Sequence, residues 1–382
     1  MKRLFYTGLA GLILFEVLNV YFIMPMPGSQ EMKSISIAYF LYSWRWIIRA
    51  VFLLMVIMGI VDAFRRKRKW IPAIVLLVAC SVAYLFNFKM TAEKMFLQPK
   101  HVMLKSRAEN VLPGSRLVIG VENNGEANAY PIEFLAYHHQ IKDSIGGKPV
   151  IITYCSVCRT GRVFEPIVNG HYEQFRLVGM DHFNAMFEDK ETKSWWRQVN
   201  GEAIAGKLKG TKLPVVESQQ MTIDKWFELY PDGKVMQPDE TFINVYDSLA
   251  KYEQGKSKSN LTRTDSLSWK EKSWVVGLET GNLSKAYDWN YLKAKRIIND
   301  TIGNTSIVLA LSKDEQSFVA FERQPDQTFT ISDDDMLHAD SSAYDFSGRD
   351  LSLPSKRLKH IPASQEFWHS WLTFHPSTRK FK

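Results

Sequence analysis

Apolar positions crowd the start of the chain and then thin into short runs. Residues 4–24, 37–64 and 70–88 form three nearly unbroken apolar runs. Each is long enough for a helix crossing a hydrocarbon layer of about 30 Å, which takes about 20 residues. No comparable run follows. Beyond residue 110, short stretches rich in β-branched and aromatic residues are bounded by Gly, Asn and Pro. "RLVIGVE" (116–122), "KPVIITYC" (148–155) and "RVFEPIV" (162–168) therefore predict strands. Helical spacing survives in "PIEFLAYHHQ" (131–140) and in "TIDKWFELY" (222–230), where Thr222 is placed to cap the helix. The expected fold class is N-terminal transmembrane α-helices followed by a mainly β (α+β) domain.

That domain is written twice. Residues 117–165 lie over residues 274–322 without a gap, placing Gly120 on Gly277, Tyr130 on Tyr287, Asp143 on Asp300 and Phe164 on Phe321. Farther on the match loosens, with Gly201 on Gly348 and Trp226 on Trp371. The expected organisation is a membrane anchor of three transmembrane helices over residues 1–92 and a first repeat over 93–238. A polar linker or loop rich in Ser, Lys and Asp follows over 239–272, and a second, degenerate repeat over 273–382.

Charge orients the anchor. Lys2 and Arg3 precede the first run, and Arg65, Arg66, Lys67, Arg68 and Lys69 separate the second from the third. Cations flanking spans stay on the cytoplasmic side. The chain is therefore expected as a multi-pass protein of the cytoplasmic (inner) membrane with its C-terminal domain extracytoplasmic. The first run exceeds a signal-peptide core and no small-residue cleavage site follows it, so it reads as a retained anchor. Arg45 and Arg49, near the outer start of the second run, read as snorkelling to the headgroups, with Glu16 a partner for one of them.

The net charge of +8 belongs to this anchor. Residues 1–92 hold 11 Lys or Arg against 3 Asp or Glu, which leaves 37 of each for the remainder. A balanced outer domain lacks the basic face that nucleic acid requires. The expected partners are the lipid bilayer and an envelope protein or metal donor, with no nucleic acid.

Three cysteines in 382 residues are no disulfide scaffold. Cys80 falls in the third run as a small lipid-facing or packing residue. Cys155 and Cys158 stand in "ITYCSVCRTGRVF" (152–164), where Gly161 and the β-branched continuation predict a hairpin, unlike the helix start of a thioredoxin-type pair. Two thiolates on a tight turn suit a transition metal, copper or zinc, with His138 the first candidate for a third ligand and His139 and His182 behind it. Arg159 and Arg162 flank the pair and would favour thiolates, which keeps a thiol-disulfide oxidoreductase of envelope proteins open. A non-catalytic binding module with a structural disulfide is the third reading. The second repeat has Lys295, Ser312 and Glu315 where the first has His138, Cys155 and Cys158, so the framework does not require these groups and chemistry is favoured over scaffolding.

Other motifs carry less. "NGEAIAG" (200–206) lacks the lysine of a phosphate-binding loop. Asp181, Glu188, Asp189 and Glu191 read as solvated strand ends. No serine nucleophile elbow and no His-Glu-x-x-His helix occurs.

Taken together, "GEANAYP" (125–131), Tyr137 and His138 ahead of "KDSIGG", "TYCSVC" (153–158) and "GEAIAGKLKGTKL" (201–213) resemble the bacterial family known as domain of unknown function 3179. The resemblance covers most of residues 110–382 and leaves the three apolar runs outside. It implies a duplicated domain and points to His138, Cys155 and Cys158, with no activity attached. Ser156 and Val157 replace the family's Pro and Leu between the cysteines, and His139 replaces an acidic residue.

Overall fold

The computed structural model describes residues 1–65, 67–353 and 355–381. Arg66, one of the five cations between the second and third runs, lies outside the described residues. The chain divides into two compact units. One holds residues 1–97, 173–197 and 202–212; the other holds 98–172, 198–201 and 213–382. Residues 173–212, read from the sequence as part of the first repeat, thus mostly cluster with the N-terminal helices.

In the first unit three helical stretches are long and apolar enough to cross a membrane: Lys2–Tyr21, Arg45–Phe64 and Trp70–Lys89. Leu53, Leu54, Ile57 and Leu77 lie more than half exposed on their surfaces. A helix meant for water would turn such residues inward, so these faces suit a hydrocarbon surround. The first two helices touch through glycine. A Cβ on Gly8 would lie 2.7 Å from the Phe52 carbonyl oxygen, and one on Gly59 would lie 2.5 Å from the Phe5 nitrogen. Small residues at such contacts let backbones approach without side chains between them.

Within this helical group Arg49 turns inward, which corrects its reading as a snorkelling residue. Its Nε donates to Glu16 Oε1 at 2.7 Å and its guanidinium also reaches Glu16 Oε2 and Asn87 Oδ1, at 2.8 and 2.6 Å. A carboxylate already buried on the neighbouring helix offers the cation a stronger partner than water at the headgroups. Arg45 instead donates to the Tyr42 carbonyl at 2.5 Å and lies over the Tyr42 ring.

A four-stranded antiparallel sheet completes this unit, with Phe175–Asp181, Asn184–Asp189, Trp195–Arg197 and Ala203–Ala205 in sequential order. It fastens where the chain leaves the first helix and enters the second: Met180 N donates to Ile23 O at 2.7 Å, and Tyr39 and Tyr42 pack on buried Trp195. Three of the four acidic residues read as solvated strand ends are buried here, a second correction. Glu188 accepts from Arg176 and from Trp195 Nε1, Asp189 accepts from the 192–194 turn and Trp196 Nε1, and Asp181 pairs with Arg197. Buried carboxylates persist because every one finds donors.

The second unit is mainly β. Leu117–Asn123 pairs with Glu126–Pro131, the helix Ile132–His138 follows, and Gln140–Ile145, Lys148–Cys155 and Thr160–Phe164 form an antiparallel sheet. Farther along, Trp274–Thr280 pairs with Leu283–Asp288, the helix Trp289–Lys295 follows, and Ile297–Ile302, Thr305–Leu311 and Phe318–Glu322 form another. In the first series Gly120 opposes Ala129; in the second Gly277 opposes Ala286. Trp226 lies against Gly120 and Trp371 against Gly277, each so close that a Cβ on the glycine would fall within 2.2 Å of the indole. The helix Ile223–Leu229 has its expected cap, Thr222 Oγ1 accepting from Lys225 N at 3.2 Å. The 239–272 stretch is more than a linker: its helix Ile243–Glu253 sends Tyr246 and Tyr252 into the core beside Phe134, Ile152 and Tyr154. With Phe242 and Leu249 they stand at helical spacing inside an otherwise polar segment.

Candidate functional site

Cys155 ends one strand and pairs with Thr160 at the start of the next, so residues 156–159 form the hairpin turn that the sequence predicts. Arg159 closes it with φ of +58°, a left-handed conformation. Neither cysteine is joined in a disulfide, and both are fully buried. The Cys158 thiol is pushed well above its ordinary pKa, first by burial and then by its hydrogen bond to Cys155 and the charge that Cys155 would carry; a hydrogen bond from Ser370 opposes this. Desolvation wins because a thiolate here has no water and faces the nearby Glu366 carboxylate.

The wall over this turn comes from residues far along the chain. Phe367 N donates to the Cys158 carbonyl at 3.0 Å and Lys272 Nζ to the Val157 carbonyl at 3.2 Å. Lys272 Nζ also lies 3.0 Å from His369 Nε2, whose pKa falls to about 4 through burial and the adjacent ammonium. The imidazole is therefore neutral and accepts from the lysine.

The flanking arginines are spent on structure. Arg159 Nε donates to Gln365 Oε1 at 2.8 Å, its guanidinium donates to the Glu253 carbonyl at 3.0 Å, and it stacks 3.7 Å above Trp274. Arg162 pairs with buried Glu366 at 2.7 Å. Neither holds Cys158 as a thiolate, contrary to the effect expected from their spacing.

The histidines part company. His138 Nε2 lies 2.6 Å from Tyr246 Oη, its ring packs edge-on to Phe242, and its carbonyl accepts from Gln98. His139, with φ of +59°, has Nδ1 2.8 Å from the Tyr154 carbonyl, and burial lowers its pKa to about 4. The neutral ring donates there. His182 belongs to the other unit, its Nδ1 2.7 Å from Asp181 Oδ1. Among the described residues no group of three or more His, Cys, Asp or Glu side chains converges to hold a metal. The structure brings Cys155 and Cys158 together and leaves the three histidines to other partners.

Sequence reasoning missed Lys272, Gln365, Glu366, His369 and Ser370. No local signal marks them, since each acts by facing a turn more than a hundred positions away.

In a comparison with protein families, the model described as "Protein of unknown function (DUF3179)" fits residues 97–378. No curated protein and no solved structure matches the chain.

Proposed function

Because the chain belongs to this DUF3179 family, whose description carries no activity, we propose its role from geometry: a membrane-anchored, extracytoplasmic, non-catalytic module in which Cys155 and Cys158 form a structural staple. The observation that carries this is the placement of the pair, two sulfurs on one buried turn within hydrogen-bond reach of each other, here still unjoined. A redox catalyst needs an accessible thiolate. A copper or zinc site needs donors beyond two sulfurs. A staple needs only two sulfurs in reach, in a compartment that takes up the two protons and two electrons released when the bond closes, as an envelope dithiol oxidant does.

The staple sits where it has something to hold. Its turn accepts hydrogen bonds from Lys272 and Phe367, so fixing residues 155–158 fixes the seam between the two series of strands. That seam joins two copies of one ancestral half. Support comes from the shared order of elements, from Tyr130 donating to Asp143 as Tyr287 does to Asp300, and from left-handed His139 and Arg296 ending equivalent helices. Arg65, Lys67, Arg68 and Lys69 stand between the second and third spans, whereas Ile23, just past the first span, and Tyr39 and Tyr42, just ahead of the second, meet the four-stranded sheet, which supports an extracytoplasmic domain.

The test is a thiol count with and without reductant, alongside elemental analysis, on the purified full-length protein. The staple predicts that only Cys80 alkylates in denaturant until reductant frees the other two, without stoichiometric metal. Three thiols alkylating without reductant, or one equivalent of zinc or copper, would refute it.

A further inference from the structure

A cleft of about 500 Å³ opens in the second unit. Three buried polar atoms on its lining have no hydrogen-bond partner among the described residues: Trp226 Nε1, Gln219 Oε1 and His360 Nδ1. The Trp226 indole is 1% exposed. Its counterpart, Trp371, donates to Thr378 Oγ1 at 2.8 Å, so this packing accommodates a partner where one is supplied. Glu217 Oε1 lies 3.3 Å from His360 Nδ1 without the orientation of a hydrogen bond, which leaves that nitrogen's capacity unused. Buried polar groups are normally satisfied, and three unpaired atoms on residues that line one cleft point to an occupant.

The lining narrows what that occupant is. Two carboxylates, Glu122 and Glu217, stand with two cations, Arg357 and Lys359. Burial pulls His360 below its ordinary pKa, so its ring adds no charge. The Tyr230 phenol, raised to about 12 by burial and by Glu122, stays a donor. Its ring lies 4.4 Å from that of Trp226, centroid to centroid. An anion would meet two carboxylates here, and an amine would meet Arg357. Vicinal hydroxyls suit the mixture, because each donates to a carboxylate or amide oxygen while accepting from a guanidinium, indole or phenol.

We propose that this cleft binds an uncharged polyhydroxylated ligand, a saccharide, through Trp226, Gln219, Tyr230, His360, Glu217 and Arg357. The experiment is calorimetric titration of the full-length protein in a non-glycosidic detergent. The probes are short oligosaccharides of glucose and of N-acetylglucosamine, with inorganic phosphate and a linear diamine as charged controls. Saturable binding of at least one oligosaccharide is expected, weakened about tenfold, roughly one charged hydrogen bond, by Glu217→Gln and by Arg357→Ala. Both side chains are on the surface, and unchanged melting of the variants shows that the fold survives. Binding of phosphate or the diamine in preference, binding of no probe (a cleft filled by water alone), or equal affinity in folded variants would each overturn the assignment.

Discussion

Gln220 Nε2 donates to Gln365 Oε1 across 3.2 Å, and that same oxygen accepts from Arg159 Nε at 2.8 Å. One amide oxygen thus ties the strands Gln219–Thr222 and Ala363–Phe367 to the residue following Cys158. Gln365→Leu would leave a buried guanidinium N–H unmet. The expected loss is about 1–3 kcal/mol, since a stranded donor costs its full desolvation. Adding Arg159→Met should recover part of it by removing the stranded group. Denaturant unfolding of the single and double variants checks both, and a double variant less stable than Gln365→Leu would contradict the account.

The staple has a stability signature of its own. Closing so short a loop should contribute about 2 kcal/mol. Reductant should therefore lower the melting temperature of the wild-type protein by a few degrees and leave the Cys155→Ser, Cys158→Ser double variant unmoved. Equal sensitivity of both proteins would dismiss the bond as the source.

Glu16 and Arg49 make a second coupled pair, among the spans. Glu16→Ala strands a buried cation and should destabilise the helical group by about 3–5 kcal/mol, whereas Glu16→Leu with Arg49→Leu should cost far less. Unfolding in mixed micelles measures the difference. Additive losses would mean that the two charges do not depend on each other.

Acid should weaken the second unit. His139 and His369 have folded-state pKa values lowered to about 4 from 6.5, so between those values the unfolded chain binds protons that the folded one refuses. Stability then falls as pH drops, by up to about 1.4 kcal/mol per unit for each group. Glu253, raised to about 7 from 4.5, acts in the opposite sense because the folded state holds the proton. His360 shifts with the histidines and Glu133 with Glu253. The net expectation is declining stability from pH 6.5 to 4.5, with a shallower decline in His369→Gln. A denaturation midpoint independent of pH in that window would reject it.

Much of the architecture was legible from residue order. Twenty-residue apolar runs specify helices long and apolar enough to cross a membrane, because the cost of exposing them to water is additive along the chain. Runs of β-branched residues around Ile119 and Ile151 specified strands, Thr222 its cap, and Gly161 the hairpin, since these depend on neighbours a few residues away. Order along the chain offered Glu16 to Arg45 or Arg49 but could not reveal that Arg49 is the one that turns to it, or that Glu188 and Asp189 are buried. Nor could it show that Tyr246 and Tyr252 bring a polar stretch into the core.

The candidate site divides in the same way. Sequence alone put Cys155 and Cys158 on one tight turn, because spacing and turn chemistry are local. Tertiary structure alone decided that His138 faces Tyr246, and that Arg159 spends its charge on Gln365, 206 positions away. It also decided that Cys158 is sealed beneath Phe367 and Ser370. Burial and partner choice set thiol acidity and ligand reach, and both are fixed by which distant segments pack together.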